Sequence, residues 1–137
     1  MKRLETDAVR ENLSEILAFI DSELENADCP LKVMYLIDIA AEEIFVNIAS
    51  YAYGPEGGKA AIEIELEDEP KTAVITFRDS GIPYNPLEKE DPDITLSAEE
   101  RQIGGLGIFM VKKSMDSVIY DHSDGQNVLT IRKVLEG

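Results

Sequence analysis

EEIFVNIASYAYG, residues Glu42 to Gly54, closes a long helix-patterned run and carries two polar side chains where the pattern asks for apolar ones. Successive helical residues lie about 100° apart; with Glu43 at the origin, Asn47 falls near 40° and Ala40 near 60°. Ile44, Ile37 and Ile48 follow at about 100–140°, so Asn47 lies inside the apolar stripe and Glu43 at its edge. Glu42, near 260°, points to solvent. A carboxylate and an amide turned inward cost free energy unless something satisfies them. They can bond each other or nearby backbone. Alternatively, the apolar face opens into a cavity where both meet a ligand or a hard cation such as Mg²⁺, which takes oxygen donors and shares itself with phosphates. The stretch alone leaves both arrangements open.

Upstream, Leu13, Ile16, Leu17, Ile20 and Leu24 recur at helical spacing, which predicts an amphipathic helix over roughly residues 8–27. Asp28-Cys29-Pro30 breaks the chain, with Pro30 suited to a first helical position. The second helix then runs to about Tyr53 and stops at Gly54-Pro55. Met1 to Thr6 admits a short strand.

Downstream, Ile62, Ile64 and Leu66 alternate with Glu63, Glu65 and Glu67, and Ala73, Ile75 and Phe77 alternate after a turn around Glu69-Pro70-Lys71. That period marks a hairpin of half-buried strands. Residues 80–103 read as a long irregular loop, acidic and with prolines at 83, 86 and 92, and 86–103 as a lid. A third helix follows over about 105–115, then a second hairpin, SVIYDH and NVLTIRKVL, joined through Ser123-Asp124-Gly125-Gln126. The order predicts one α+β domain over 1–137. It is a two-layer sandwich with a mixed, mostly antiparallel sheet and its helices on one face.

Thirteen Lys and Arg against 28 Asp and Glu give a net charge of −15. Such an excess disfavours nucleic acid and anionic membranes, both of which are bound mainly through Lys and Arg. An anionic ligand needs local dipoles or a metal ion to offset it. Cys29 is the only cysteine, which rules out an internal disulfide and a Cys-based zinc site and reads as a packing residue. No run approaches membrane-spanning length and MKRLETDAVR has no apolar leader, so the expected location is the cytoplasm.

Two more stretches carry chemistry. In RDSGIPYNP, Asp79 leaves a strand just before Gly81. Asp-Ser-Gly is ordinary turn material, yet a strand-end carboxylate also accepts a hydrogen bond from a ligand amino group, with Gly81 letting backbone come close. In IGGLGIFMVKKSMD, Gly104, Gly105 and Gly107 open a helix. They either soften a packed N-terminus or turn successive N–H groups, with the helix dipole, toward an anion.

EIFVN on a helix, DSGIPYNP after a strand and GGLGI before a helix follow the order of the N, G1 and G2 boxes. The chain resembles the GHKL (Bergerat-fold) ATPase superfamily, and within it the stand-alone anti-sigma factor serine/threonine kinases. The resemblance implies ATP and Mg²⁺ as ligands. It gives Asn47 as the Mg²⁺-binding Asn, Glu43 as the general base, and Asp79 as the acceptor for the adenine amino group with Gly81 beside it. It also gives Gly105 and Gly107, with Gly104, as phosphate-loop glycines. Arg101 reads equally as a lid arginine near the phosphates or as a solvated charge. Thr130 matches a last-strand Thr near adenine, although a β-branched strand residue needs no special reason. Tyr51 stands where many members have His, one helical turn from Asn47, and reads as a pocket edge or a core aromatic.

The function implied is transfer of phosphate from ATP to a Ser or Thr of a STAS-type antagonist, with sequestration of a sigma factor. Homodimers are common in that family, but no interface is legible here. His122, the only histidine, falls in the last hairpin and not on a dimerisation helix, which disfavours a complete histidine kinase. The competing expectation is a nucleotide-gated binding module that transfers nothing; it should survive loss of Glu43.

Overall fold

The computed structural model describes residues 1–88 and 105–135. Within them the order is β1 (Lys2–Asp7), α1 (Leu13–Asn26), α2 (Leu31–Tyr51), β2 (Lys59–Glu67), β3 (Thr72–Asp79), α3 (Gly105–Ser114), β4 (Ser117–Ser123) and β5 (Gln126–Val134). Short 3₁₀ turns at Arg10–Asn12 and Pro86–Glu88 complete it. The first helix therefore begins later than its apolar spacing suggests, after the 3₁₀ turn at Arg10–Asn12, and the residues up to Asp7 form an edge strand. There Leu4 pairs with Ile62 and Thr6 with Ala60.

The sheet order is β1-β2-β3-β5-β4. Each neighbouring pair is antiparallel, so the sheet expected to be mostly antiparallel is antiparallel throughout. The reason lies in the connections. After β3 the place beside it is left vacant, β4 becomes the outer strand, and β5 turns back to fill the gap. The register Ile75↔Ile131, Phe77↔Leu129 and Asp79↔Asn127 fixes which side chains share a face.

That face is the core. Ile62, Ile64, Ile75, Phe77, Leu129 and Ile131 bury against Ile16, Ile20 and Leu24 of α1 and Ile37, Ile44 and Phe45 of α2. Each such side chain contributes roughly 1.5–3 kcal/mol of burial. The opposite face carries Glu63 ion-paired to both Arg3, at 3.3 Å, and Arg78, at 3.0 Å, with Arg132 paired to Glu67.

Between α1 and α2 the packing is not wholly apolar. Asp21 and Asp38 have Oδ1 atoms shut off from solvent and without a hydrogen-bond partner. Burial first, then the hydrogen bond and charge of Asp21, push the Asp38 carboxyl up to about 8. Burial, with the same two charges, also raises the Cys29 thiol, so it remains an un-ionised packing residue at the helix joint.

Asp38 holds a proton in the folded chain that the unfolded chain releases at an ordinary carboxylate pKa. Folding therefore takes up a proton, and stability falls as pH rises from about 4 to about 8. Asp38→Asn should be more thermostable than the unaltered chain at pH 8. That advantage should shrink toward pH 5, as melting curves at the two pH values would record.

Candidate functional site

Asn47 and Asp79 reach one cavity, from the last turns of α2 and the end of β3 respectively. It encloses about 450 Å³, including its open mouth; Ile44, Phe77 and Leu129 form part of its apolar wall. The helical stripe is interrupted where the sequence placed Asn47, and Glu42 is exposed as its angle requires.

Asp79 is only 6 % exposed. Its Oδ1 accepts the backbone N–H of Gly81, at 2.9 Å, and the side-chain amide of Asn127, also at 2.9 Å. The first bond is the Asx turn that Asp-Ser-Gly foretells. One oxygen makes the turn, and the other makes no hydrogen bond among the described residues.

Gly81 lets backbone come close to α2: a Cβ there would lie 2.1 Å from the Ala52 carbonyl oxygen, and the Ile82 N–H donates to that same oxygen at 2.9 Å. The glycine thus ties the turn after β3 to the end of the helix that carries Asn47. Backbone cannot retreat as a flexible side chain can. Gly81→Ala should therefore lose about 1–3 kcal/mol of stability, visible as a lower urea midpoint.

Glu43 lies one turn before Asn47 and faces the first turn of α3. A Cβ at Gly107 would sit 2.1 Å from Glu43 Oε2 and 2.7 Å from its Cδ, so the carboxylate rests directly on the glycine backbone. Gly105 is the first residue of that helix. Among the described residues no three His, Cys, Asp or Glu gather into a metal cluster. Asn47 offers a side-chain oxygen of the kind that Mg²⁺ shared with phosphate takes. Gly104, Arg101 and the bulk of the 86–103 lid lie outside the described residues.

Thr130 is not brought to the cavity. It sits on the opposite face of the sheet, its Oγ1 3.4 Å from that of Thr76. In its place, three residues earlier on the inward face, stands Asn127, which lines the cavity beside Asp79. Strand alternation could have found it, since Asn127, Leu129 and Ile131 share a face that is otherwise apolar. Tyr51 and Tyr84 flank the mouth, with ring centroids 6.4 Å apart. Tyr120 completes the rim and hydrogen-bonds Asn127 Oδ1. Burial, reinforced by the charges of Asp79, Glu88 and Asp121 and opposed by a backbone hydrogen bond at Tyr84, raises its phenol. It therefore stays a donor at neutral pH.

A five-stranded antiparallel sheet with helices on one face and a cavity between helix and strand ends is the architecture of GHKL-type ATPase domains. The chain belongs to the histidine kinase-like ATPase domain family, whose model matches residues 6–133. It is 29 % identical over 100 residues to the serine/threonine-protein kinase BtrW of Bordetella bronchiseptica, spanning 73 % of this chain and 70 % of that one. It is 26 % identical over 98 residues to the serine-protein kinase RsbW of Bacillus cereus, spanning 70 % of this chain and 61 % of that one. The fold also matches the RsbU and RsbW domains of Rv1364c from Mycobacterium tuberculosis. There the TM-score is 0.66 at 15 % identity, over 98 % of this chain and 33 % of that one. The named relatives are serine/threonine-protein kinases, in agreement with the kinase expectation drawn from the sequence. No helix among the described residues is long and apolar enough to cross a membrane.

Proposed function

We propose that the chain is a cytoplasmic ATP-dependent serine/threonine kinase of the anti-sigma factor type. Its substrate is a STAS-type antagonist, and its second partner is a sigma factor. The observation that carries this reading is the convergence of Asn47 and Asp79 on one cavity, with Glu43 a turn away against the glycine-opened start of α3. The kinase names of the relatives support the reaction class.

In this reading Asp79 receives the adenine amino group and the Gly105–Gly107 turn faces the phosphates. Asn47 would hold Mg²⁺, which would neutralise phosphate charge. Glu43 accepts the proton of the substrate hydroxyl as its oxygen bonds to the γ-phosphorus and the bridging P–O bond to ADP breaks. Binding and positioning supply the rest of the rate, as is usual for phosphoryl transfer.

Incubating the protein with γ-labelled ATP, Mg²⁺ and a STAS-domain protein should place label on a Ser or Thr of that protein. ATP binding without transfer to any STAS partner would overturn the kinase reading and leave a nucleotide-gated binding module.

A further inference from the structure

Asn127 is 6 % exposed, and all of its polar capacity is spent inside the fold. Its Nδ2 hydrogens go to Asp79 Oδ1 and to the Ile82 carbonyl, each at 2.9 Å. Its Oδ1 accepts the Tyr84 N–H at 3.1 Å and the Tyr120 hydroxyl. A side-chain amide offers two donors and two acceptor sites, so nothing remains for a ligand. Nor can the amide be turned over. The Ile82 carbonyl only accepts and the Tyr84 N–H only donates, so a flip would break both bonds.

The consequence falls on Asp79. With Oδ1 taken by Gly81 and Asn127, the carboxylate cannot swing without losing both donors. Its Oδ2 makes no hydrogen bond among the described residues, so the cavity is offered a single fixed acceptor. A fixed acceptor discriminates by chemistry: it welcomes a purine carrying an amino group at C6 and leaves a C6 carbonyl facing like charge. A site that pairs buried polar groups with a substrate N–H rejects the analogue lacking it far more strongly than an apolar pocket rejects a misfit.

We infer that Asn127, held by Tyr120, is the positioning residue that sets base specificity at this site by immobilising Asp79 with one oxygen outward. The inference rests on the nucleotide-binding reading above and assigns a role to two residues to which that reading gives none.

The test is calorimetric titration of the full chain with ADP and with inosine diphosphate, whose base differs by a C6 carbonyl in place of the amino group. Three proteins are compared: the unaltered chain, Tyr120→Phe and Asn127→Leu, with melting curves for each. The unaltered chain should prefer ADP by roughly 100-fold or more. Tyr120→Phe, which removes one hydroxyl, should narrow that preference about ten-fold while remaining folded. Asn127→Leu should bring the two ligands near parity; should it fail to fold, Tyr120→Phe carries the test alone. A merely structural role would lower stability, or weaken both ligands together, and leave the ratio unchanged. An unchanged ratio in a folded variant overturns the inference while leaving ATP binding intact. Failure of the unaltered chain to bind ADP would instead overturn the nucleotide reading, and this inference with it.

Discussion

Replacing Glu43 with Ala should abolish measurable phosphotransfer, a loss of about 10²–10⁴-fold, while nucleotide affinity changes little. The separation follows from the geometry. Glu43 is not among the residues lining the cavity; it lies a turn earlier on α2, against the α3 backbone at Gly107. Removing it should therefore act on the chemical step and spare the binding step. A second substitution approaches the same carboxylate from the other side. A Cβ on Gly107 would stand 2.1 Å from Glu43 Oε2, the mobile end of a long side chain. Gly107→Ala should therefore move the carboxylate without unfolding the protein, since Ala is the better helix former by roughly 1 kcal/mol. The expected pattern is near-normal melting, near-normal ADP binding and slow transfer. Loss of ADP binding in Glu43→Ala would show that this carboxylate serves the ligand site and not the transfer.

Asp79→Asn should show the complementary pattern. Nucleotide binding is expected to weaken by roughly 100-fold or more, and transfer should fail for want of substrate. The change is nearly isosteric, so the effect is one of hydrogen bonding. Oδ1 of Asp79 faces two donors, the Gly81 N–H and the Asn127 amide. In the variant, one orientation of the new amide keeps its oxygen toward those donors and presents NH₂ to the cavity, donor against the ligand's donor. The other turns NH₂ onto the two buried donors and leaves them unsatisfied, at about 1–3 kcal/mol each. Neither orientation serves both sides. Titration with ADP together with a denaturant midpoint would separate these costs. Undiminished ADP affinity would remove Asp79 from the site.

Where single-element patterns suffice, the sequence is readable. Asn47 and Glu42 take the inward and outward placements that a helical wheel gives them. The two hairpins have the faces that strict alternation requires. What escapes such patterns depends on two elements meeting. Asp21 and Asp38 look like ordinary polar residues on their own helices, and only the α1–α2 contact makes them a buried pair. The close approach of Gly81 to the Ala52 carbonyl is equally hidden, because that carbonyl lies at the end of a helix some thirty residues earlier.

Asn127 escaped for another reason. Beside Ser123-Asp124-Gly125-Gln126 it looks like the shoulder of a turn, and the family resemblance drew attention to Thr130 instead. The pleat decides against Thr130, which alternates with Leu129 and so faces away. Charge, too, is legible only as a total. The sum of −15 says nothing of Glu63 bridging Arg3 and Arg78 across the outer face.

The placing of the last strand between its predecessors bears on how this protein is made. Asp79 is held by Asn127, 48 residues further along the chain, and β3 has no neighbour on that side until β5 arrives. During synthesis, at roughly 5–20 residues per second, the nascent chain spends several seconds with β3 presenting an unpaired edge. An arrested chain ending before Gln126 would expose that edge to other nascent chains and could not assemble the pocket wall. Any truncation that disturbs β5 thus reaches the pocket itself, although β5 is the last strand of the sheet to be made.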